Sequence, residues 1–501
     1  MPDLKVLLIS TYELGRQPFG LASPAAWLRA DGFYTTSLDL SRRSLDEEAV
    51  RTASLIAFYL PMHTATRIAV RALERVRKLN PSAHLCGFGL YAPVNAGLLR
   101  RLGVGTILGG EFEQGLLSLV RRLEAGAPGP GLPQVEPEIS LARQNFLVPY
   151  RDDLPPLEKY AHLTLPDDST RVVGYTEASR GCKHLCRHCP IVPVYNGTFR
   201  IVQREVVRED IRRQVAAGAQ HITFGDPDFF NGVGHSMQIV EALHREHPGL
   251  SYDVTIKVEH LLKHAGRLPA LRETGCAFVT TAVESVDDQV LRILDKGHTR
   301  ADFIRLAGLM RGLGLFLVPT FVPFTPWTTL EGYEDLLATL IRLGLMEHVP
   351  PVQLTIRLLI PAGSRLLEVL PLHNAAIGPL QQEALSYPWA NSDRRVDRLQ
   401  CDLEAVVQRE AKAGASRTVI FGEAWKLLLR RHERRRGRSA GAPSARPTRT
   451  VAGHHPLPDR TLVLLIRTHQ RAVGLLLVPR ENTGWPGPGD HRAADGAVLL
   501  W

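Results

Sequence analysis

Residues 172–190 read VVGYTEASRGCKHLCRHCP, in which an apolar run of strand length leads directly into three cysteines. Cys182, Cys186 and Cys189 follow the predicted strand Val172–Ala178 with the spacing CxxxCxxC. The chain has 6 cysteines in 501 residues, too few for a disulfide scaffold, and half of them lie in this stretch. A group of cysteines this tight indicates metal binding or redox chemistry.

Three thiolates in one loop favour an iron–sulfur cluster over a structural zinc ion. Thiolates are the usual ligands of such clusters, and a loop after a strand can curl three sulfurs around one cluster. Structural zinc needs four ligands, usually arranged as two separated pairs. His184 or His188 could supply a fourth ligand, but both lie inside the triplet, where the chain has little freedom to aim them inwards. A zinc site and a chance group of structural cysteines stay open as alternatives.

The sequence around and beyond the cysteines alternates between strand-like and helix-like patterns. The strand candidates are Val172–Ala178, His221–Gly225, Asp253–Val258, Ala277–Val283, Phe316–Phe321 and Val352–Ile360. The helix candidates are Arg204–Ala217, Ser236–Arg245, His260–Thr274, Asp288–Asp295 with Ala301–Leu313, and Gly332–Leu343. This alternation of βα units predicts a curved parallel sheet or partial TIM-type barrel, (βα)6, whose active face is the carboxyl end of the strands.

The first part of the chain shows the same alternation, which predicts a doubly wound parallel sheet in an α/β fold. Its strand candidates are Val6–Ile9, Ser54–Leu60, His84–Phe88 and Thr106–Leu108. Its helix candidates are Ala25–Ala30, Ala65–Leu79, Ala96–Leu102 and Glu113–Leu123. Ligands of such sheets bind at the strand carboxyl ends, which here carry the loops Pro61–Thr64, Gly89–Pro93 and Gly109–Glu113. Ordinary turn chemistry explains those loops equally well.

Composition divides the rest of the chain. A Gly/Pro-rich stretch begins at Ala125, and helical patterns cover Leu403–Ala413 and Ala424–Arg434. An Arg- and Pro-rich segment follows, which cannot bury a core. We expect a first domain at 1–126, a linker at 127–167, a core domain at 168–370, a small helical C-terminal region at 371–434 and a poorly ordered tail at 435–501.

The net charge of +9 belongs mainly to that tail and the residues before it. Between Arg430 and Arg460 there are nine arginines against only Glu433 and Asp459. The rest of the chain is therefore nearly neutral, which argues against nucleic acid as a partner. No stretch reaches the ~20 uninterrupted apolar residues that a membrane span needs, and the N-terminus lacks a secretory leader, so we expect a cytoplasmic protein without a membrane partner.

The cysteine spacing after the first strand of a βα array resembles the radical S-adenosylmethionine (radical SAM) superfamily. The resemblance implies that Cys182, Cys186 and Cys189 hold a [4Fe–4S] cluster whose open iron binds S-adenosylmethionine (SAM). It further implies that Gly225 and Asp226, in the loop FGDPDFFN after the second strand, bind the methionine ammonium. Glu284, at the end of the fourth strand, would accept hydrogen bonds from the ribose hydroxyls. Without the resemblance, these are an acidic turn and a solvated strand-end glutamate.

The first domain resembles the cobalamin-binding-like domain that precedes the radical core in one branch of the superfamily. Gly109–Glu113 is similar to a Gly-Glu-x-Glu element of that branch, but the chain has no Asp-x-His-x-x-Gly motif to supply a lower cobalt ligand. We therefore expect any cobalamin to lie on the first-domain loops without a protein nitrogen on cobalt. The loop residues concerned are Pro61, Met62, His63, Thr64, Gly89 and Tyr91. The cysteine region is also similar to members with short Cys- or selenocysteine-containing tails, and that tail is absent here.

The resemblance implies an enzyme that cleaves SAM reductively and starts radical chemistry on an unidentified substrate, with cobalamin-dependent methylation as the narrower form. Its partners would be SAM, the substrate and an electron donor such as a flavodoxin or ferredoxin. The alternative is a non-catalytic iron–sulfur or zinc-binding interaction protein. Such a protein would need neither Asp226 nor Glu284 nor a six-unit barrel.

Overall fold

The computed structural model describes residues 4–126, 134–165, 167–439 and 476–478. Among these residues, a fully parallel sheet and a mostly parallel sheet, both flanked by helices, make up an α/β fold, and two helices follow the main strands of the second sheet. The predicted fold class is therefore confirmed. No helix of the described part of the chain is long and apolar enough to cross a membrane.

The first sheet is a six-stranded, fully parallel sheet. Its strands are β1 (Lys5–Ser10), β2 (Tyr34–Asp39), β3 (Leu55–Tyr59), β4 (His84–Phe88), β5 (Thr106–Gly110) and β6 (Ile139–Ser140). Its helices are α1 (Phe19–Ala30), α2 (Glu47–Thr52), α3 (His63–Leu79), α4 (Tyr91–Val94), α5 (Ala96–Arg101) and α6 (Glu113–Glu124). In the strand order β2-β1-β3-β4-β5-β6, the chain adds β2 on one side of β1 and the later strands on the other side, as in doubly wound sheets.

Sequence patterns did not reveal β2, α2 or α4. The strand β2 reads YTTSLD, with only Leu38 and Tyr34 as large apolar side chains, and Tyr34 is exposed. As an edge strand it pairs with β1 alone, so burial on both faces is not required of it. The helices α2 and α4 have only 6 and 4 residues, too few to establish a helical period.

The second sheet carries the cysteine loop. Its strands are β7 (His162–Thr164), β8 (Thr170–Thr176), β11 (His221–Phe224), β12 (Ser251–Thr255), β13 (Cys276–Glu284), β14 (Phe316–Phe321) and β15 (Leu476–Val478), while β9 (Ser179–Gly181) pairs separately with β10 (Phe199–Ile201). Its helices are α7 (Val192–Tyr195), α8 (Arg204–Ala216), α9 (Val233–Glu246), α10 (Val258–Lys263), α11 (Leu268–Glu273), α12 (Asp288–Leu294), α13 (Arg300–Leu313) and α14 (Leu330–Leu343). The strands β8 and β11–β14 are parallel neighbours and form the partial barrel, while β7 and β15 extend it in antiparallel pairing.

Two elements of the predicted barrel differ from the structure. Val352–Ile360 is not a strand: a 3₁₀ helix covers Pro351–Leu354, and only one bridge, from Phe324 to Arg357, continues the sheet. Pro350 and Pro351 explain this, since proline fixes φ and cannot donate to a strand ladder. The predicted helix His260–Thr274 is two helices, α10 and α11, because Pro269 opens a new helix.

The predicted linker and tail contain regular structure where the structure describes them. Within 134–165, β6 pairs with the first sheet and β7 with the second, so this segment connects both sheets. The C-terminal helices are α15 (Arg394–Lys412) and α16 (Arg417–Ser439), longer than the patterns indicated. Their apolar side chains, including Leu403 and Trp425, join the core of the barrel. Apart from the end of α16 and β15, the predicted tail 435–501 lies outside the described residues.

Candidate functional site

The cysteine loop is held closed at its base. The strand β9 ends one residue before Cys182 and pairs with β10, where Gly181 faces Phe199. The amide of Cys182 donates to the carbonyl of Thr198 at 3.1 Å. A Cβ on Gly181, whose φ is +73°, would lie 2.4 Å from the Tyr195 ring, so only glycine fits this turn. The local structure therefore folds the three cysteines back over the carboxyl end of the barrel.

The three thiols lie close enough to affect one another's ionisation. Burial, with the charges of Cys186 and Cys182 adding to it, raises the pKa of Cys189 to about 12. Burial likewise raises the pKa of Cys182 to about 11. Buried thiols such as Cys182 and Cys189 need a positive group beside them before they become thiolates, and a metal cluster supplies one. That the three cysteines form one shared ligand set stays a prediction.

Glu284 lies beside the cysteine loop. Its Oε1 is 3.1 Å from Nε2 of His188, which stands between Cys186 and Cys189, and 3.3 Å from Nζ of Lys296. Burial acts to raise the pKa of Glu284, but the Lys296 ammonium and His188 lower it to about 2. An ionised, buried carboxylate is therefore fixed next to the cysteines, where it can accept hydrogen bonds from a ligand. The sequence singled out neither Lys296 nor His188 as its partner.

Gly225 and Asp226 lie beneath the cysteine loop. A Cβ on Gly225 would come within 1.9 Å of the Tyr175 hydroxyl, so the close approach of β11 to β8 requires glycine here. Asp226 accepts hydrogen bonds from the Ala178 amide at 2.9 Å and the Ser179 hydroxyl at 2.6 Å. Burial raises its pKa to about 7 despite these bonds. The side chain of Asp226 thus supports the start of β9, while Asn231 accepts from the Lys183 amide at 3.2 Å.

One pocket joins the two predicted groups of ligand-binding residues. Its cavity volume is about 30 Å³. The first domain contributes Met62, His63, Thr64 and Tyr91, and the second contributes His188, Pro190, Glu284, Val322, Leu358, Leu359 and Pro361. Pro61 and Gly89 do not line it. The loops expected to hold cobalamin and the glutamate expected to hold SAM therefore face each other beside the cysteine loop.

A buried ion cluster ties the first domain to the cysteine loop. Arg180, in β9, binds Glu113 through both guanidinium ends, at 2.7 and 3.0 Å, and Glu177 at 2.7 Å. Glu111 lies 3.7 Å from the same guanidinium and accepts a hydrogen bond from Tyr195. The motif Gly109–Glu113 stood out in the sequence, but nothing there identified Arg180 as the partner of its glutamates. The contact sets the first domain's loops against the site.

Residues 176–340 match the family model described as the radical SAM superfamily. The chain carries a radical SAM domain. The match begins at the end of β8 and extends through most of α14, so the cysteine loop, Asp226 and Glu284 all lie inside this domain.

Two curated relatives match parts of the chain. The hopanoid C-3 methylase of Methylococcus capsulatus is 27% identical over 149 residues, 28% of this chain and 28% of that protein. The tRNA-2-methylthio-N(6)-dimethylallyladenosine synthase of Herpetosiphon aurantiacus is 28% identical over 169 residues, 31% of this chain and 37% of that protein. The chain thus matches well under half the length of each.

Two solved structures share the fold over most of the chain. TsrM from Kitasatospora setae, a radical SAM methyltransferase solved with tryptophan substrate and a SAM analogue, has a TM-score of 0.56 at 16% identity and covers 75% of this chain and 77% of its own. OxsB, a cobalamin-dependent SAM radical enzyme solved with aqua-cobalamin and SAM, has a TM-score of 0.58 at 13% identity and covers 81% and 67%. Both likenesses extend beyond the radical SAM domain and support the two-sheet fold.

Proposed function

We propose that the protein is a radical SAM enzyme that cleaves SAM reductively and removes a hydrogen atom from an unidentified substrate. The observation that carries the proposal is the ionised Glu284 held by His188, a residue of the CxxxCxxC loop itself. The radical SAM domain favours an enzyme over a non-catalytic iron–sulfur or zinc-binding protein.

The chain's own residues divide into cluster ligands and SAM-binding groups. Cys182, Cys186 and Cys189 would hold a [4Fe–4S] cluster with one iron left open for SAM. When bound and reduced by a one-electron donor, such a cluster would supply the electron for cleavage of SAM into methionine and a 5′-deoxyadenosyl radical. Glu284 would accept hydrogen bonds from the ribose hydroxyls and fix the position of C5′. The mostly apolar walls of the pocket would exclude water from the radical.

The SAM ammonium would meet the loop that contains Gly225 and Asp226. Because both oxygens of Asp226 already accept hydrogen bonds from β9 and the residue before it, its carboxylate would act mainly by holding the cysteine loop. Backbone carbonyls of this loop would then be the groups that contact the ammonium. Gly225 would therefore contact SAM through its backbone, and Asp226 would support SAM binding by holding the loop in place.

Cobalamin-dependent methyl transfer to an unactivated carbon is the narrower form of the proposal. The interior of the first domain is filled by its own side chains, because the Tyr59 ring covers Gly20 and Gly89 and packs on Phe88 and Phe112. A corrinoid would fit only at the loop edge, on Met62–Thr64 and Tyr91, which face the pocket. His63 Nε2 lies 2.6 Å from the Ala384 carbonyl, so this nitrogen would have to give up that hydrogen bond before it could bind cobalt.

The cluster assignment can be tested with cysteine variants of the full chain. Replacing Cys182, Cys186 or Cys189 with Ala should abolish iron incorporation and SAM cleavage after anaerobic reconstitution, because each thiolate is one of only three ligands. The matched control is Cys401→Ala, since Cys401 is exposed on α15 and far from the loop in sequence. A full cluster in Cys186→Ala would contradict the assignment.

Cobalamin binding is tested separately, by desalting the reconstituted chain after incubation with hydroxocobalamin. Loss of all corrinoid would reject only the proposal of cobalamin-dependent methyl transfer.

A further inference from the structure

Cys182 also belongs to a second group of side chains that could hold a metal ion. Sγ of Cys182, a ring nitrogen of His184 and a carboxylate oxygen of Asp228 all lie within 4.8 Å of one another. The Asp228 side chain is completely buried, and His184 is only 15% exposed. None of the residues of the pocket that contains Glu284 belongs to this group. The proposed SAM chemistry uses Cys182 alone among the three.

The polar atoms of this group converge on Oδ2 of Asp228. Asp228 Oδ2 lies 2.7 Å from Nδ1 of His260 and 3.5 Å from Nε2 of His184. None of these three buried atoms has a hydrogen bond with acceptable geometry in the part of the chain that the structure describes. Leaving a buried polar atom wholly unpaired costs about 1–3 kcal/mol, and the ion-pair contacts recover only part of that cost when the hydrogen-bond geometry is poor. A metal ion could accept a lone pair from each of the three atoms once His260 has moved back slightly, because two ligand atoms of one zinc ion lie about 3.3 Å apart.

The surroundings orient the group as they do at known metal sites. Asp228 Oδ1 accepts the Phe230 amide at 3.1 Å, which leaves Oδ2 directed at the histidines. Oε2 of Glu259 lies 3.6 Å from Nδ1 of His184, the ring nitrogen that does not face Asp228. A carboxylate behind the second nitrogen is the common support of a histidine that binds metal through the first. The His184 and His260 rings are 4.6 Å apart, so His260 can complete the set after a small rotation.

We propose that, in the cluster-free protein, Cys182, His184 and Asp228 bind one divalent metal ion of the zinc class, with His260 as the fourth ligand. One thiolate, two imidazoles and one carboxylate are a tetrahedral donor set that zinc accepts. His184 thus serves a site outside the cysteine triplet, although the sequence suggested it only as a fourth ligand within it. One consequence, which rests on the proposed function, is that zinc and the iron–sulfur cluster compete for Cys182.

The test uses the full-length chain carrying Cys186→Ala and Cys189→Ala, which removes two of the three cluster ligands and keeps all four proposed zinc ligands. Anaerobic titration with Co²⁺, followed by displacement with Zn²⁺, reports the site through the visible bands of tetrahedral cobalt and the thiolate-to-cobalt absorption. We expect one Co²⁺ per chain with a thiolate band. Adding Cys182→Ala should remove that band.

Ligand variants in the same background decide the remaining donors. Asp228→Asn keeps an acceptor for the Phe230 amide but should weaken Co²⁺ binding more than tenfold. Loss of a group that only supports a ligand can cost as little as about tenfold in metal affinity. His260→Ala should weaken it as well, which keeps the test valid if Asp228→Asn misfolds by circular dichroism. The control is His264→Ala, whose ring packs 5.9 Å from His260 outside the group. Absence of cobalt binding in the double-cysteine background, or affinity unchanged by both ligand variants, would overturn the proposal without touching the cluster assignment.

Discussion

Replacing Arg180 with Met should strongly destabilise the protein. The guanidinium is 7% exposed, binds Glu113 at 2.7 and 3.0 Å and Glu177 at 2.7 Å, and has Glu111 at 3.7 Å. Burial acts against its charge, but these carboxylates hold the pKa of Arg180 well above its usual range. Methionine occupies a similar space without charge, so the substitution leaves the acids uncompensated.

The expected loss follows from the burial of these acids. Removing one partner of a buried ion pair costs about 3–5 kcal/mol, and a residue shared by several carboxylates belongs at the upper end of that range. The rings of Phe112 and Phe146, each 5.0 Å from the guanidinium carbon, lose a cation–π contact as well. Since Glu111 and Glu113 belong to the first domain, this domain should detach from the barrel at lower denaturant concentration.

The assay is denaturant unfolding of the full chain, followed by circular dichroism and tryptophan fluorescence, with iron content after reconstitution as a second readout. Arg121→Met is the matched control, because Arg121 forms its ion pair with Asp31 at the surface and is 55% exposed. Adding Glu113→Gln to Arg180→Met should recover part of the loss by removing one uncompensated charge. If Arg180→Met shifts the unfolding midpoint no more than Arg121→Met does, the buried cluster does not join the domains as argued.

Two further substitutions test the electrostatics of the site and of the first domain. Glu284→Gln should weaken SAM binding about tenfold or more by isothermal titration, because the ionised carboxylate makes stronger hydrogen bonds than an amide. The control Glu205→Gln, on the surface of α8, should leave SAM affinity unchanged. Equal SAM affinities of the Glu284→Gln variant and the wild type would remove Glu284 from the SAM site. Glu13→Gln should flatten the pH dependence of stability. Burial, with the charges of Glu177 and Asp39 adding to it, raises the pKa of Glu13 to about 8, so the folded state favours the protonated carboxyl. The stability that this proton contributes is complete below 4.5, the pKa of the unfolded state, and is lost as pH rises through 8. Thermal melts of the two proteins between pH 5 and 8.5 should therefore diverge in favour of the variant as pH rises, and parallel curves would show that Glu13 ionises without cost.

Short-range patterns were enough to predict the framework of the site. The strands β8 and β11–β14 are apolar runs of strand length, and the cysteine spacing lies within eight residues, so neither depends on distant contacts. The prediction of a sixth barrel strand was wrong. Val352–Ile360 is mostly apolar, but Pro350 and Pro351 fix the backbone where the strand would begin, and a 3₁₀ helix forms there instead. Local backbone chemistry overrode the hydrophobic pattern there.

The pairings within the site could not be predicted in the same way. Arg180 and Glu113 are 67 residues apart, and which arginine meets which glutamate depends on how the two sheets pack. Lys296 follows Glu284 by only 12 residues, but a turn and α12 separate them and no period relates them. His184 lies inside the cysteine triplet in sequence, yet it faces Asp228 in the structure. Sequence therefore indicates the residue types of the site better than their partners.

The most direct test of the central claim is the product formed from SAM. The full chain, reconstituted with iron and sulfide under anaerobic conditions and reduced with dithionite, should convert SAM into 5′-deoxyadenosine and methionine, quantified by liquid chromatography and mass spectrometry. The Cys186→Ala variant treated identically should form neither. A wild-type protein that holds a full [4Fe–4S] cluster and binds SAM but yields no 5′-deoxyadenosine would contradict the proposed radical chemistry.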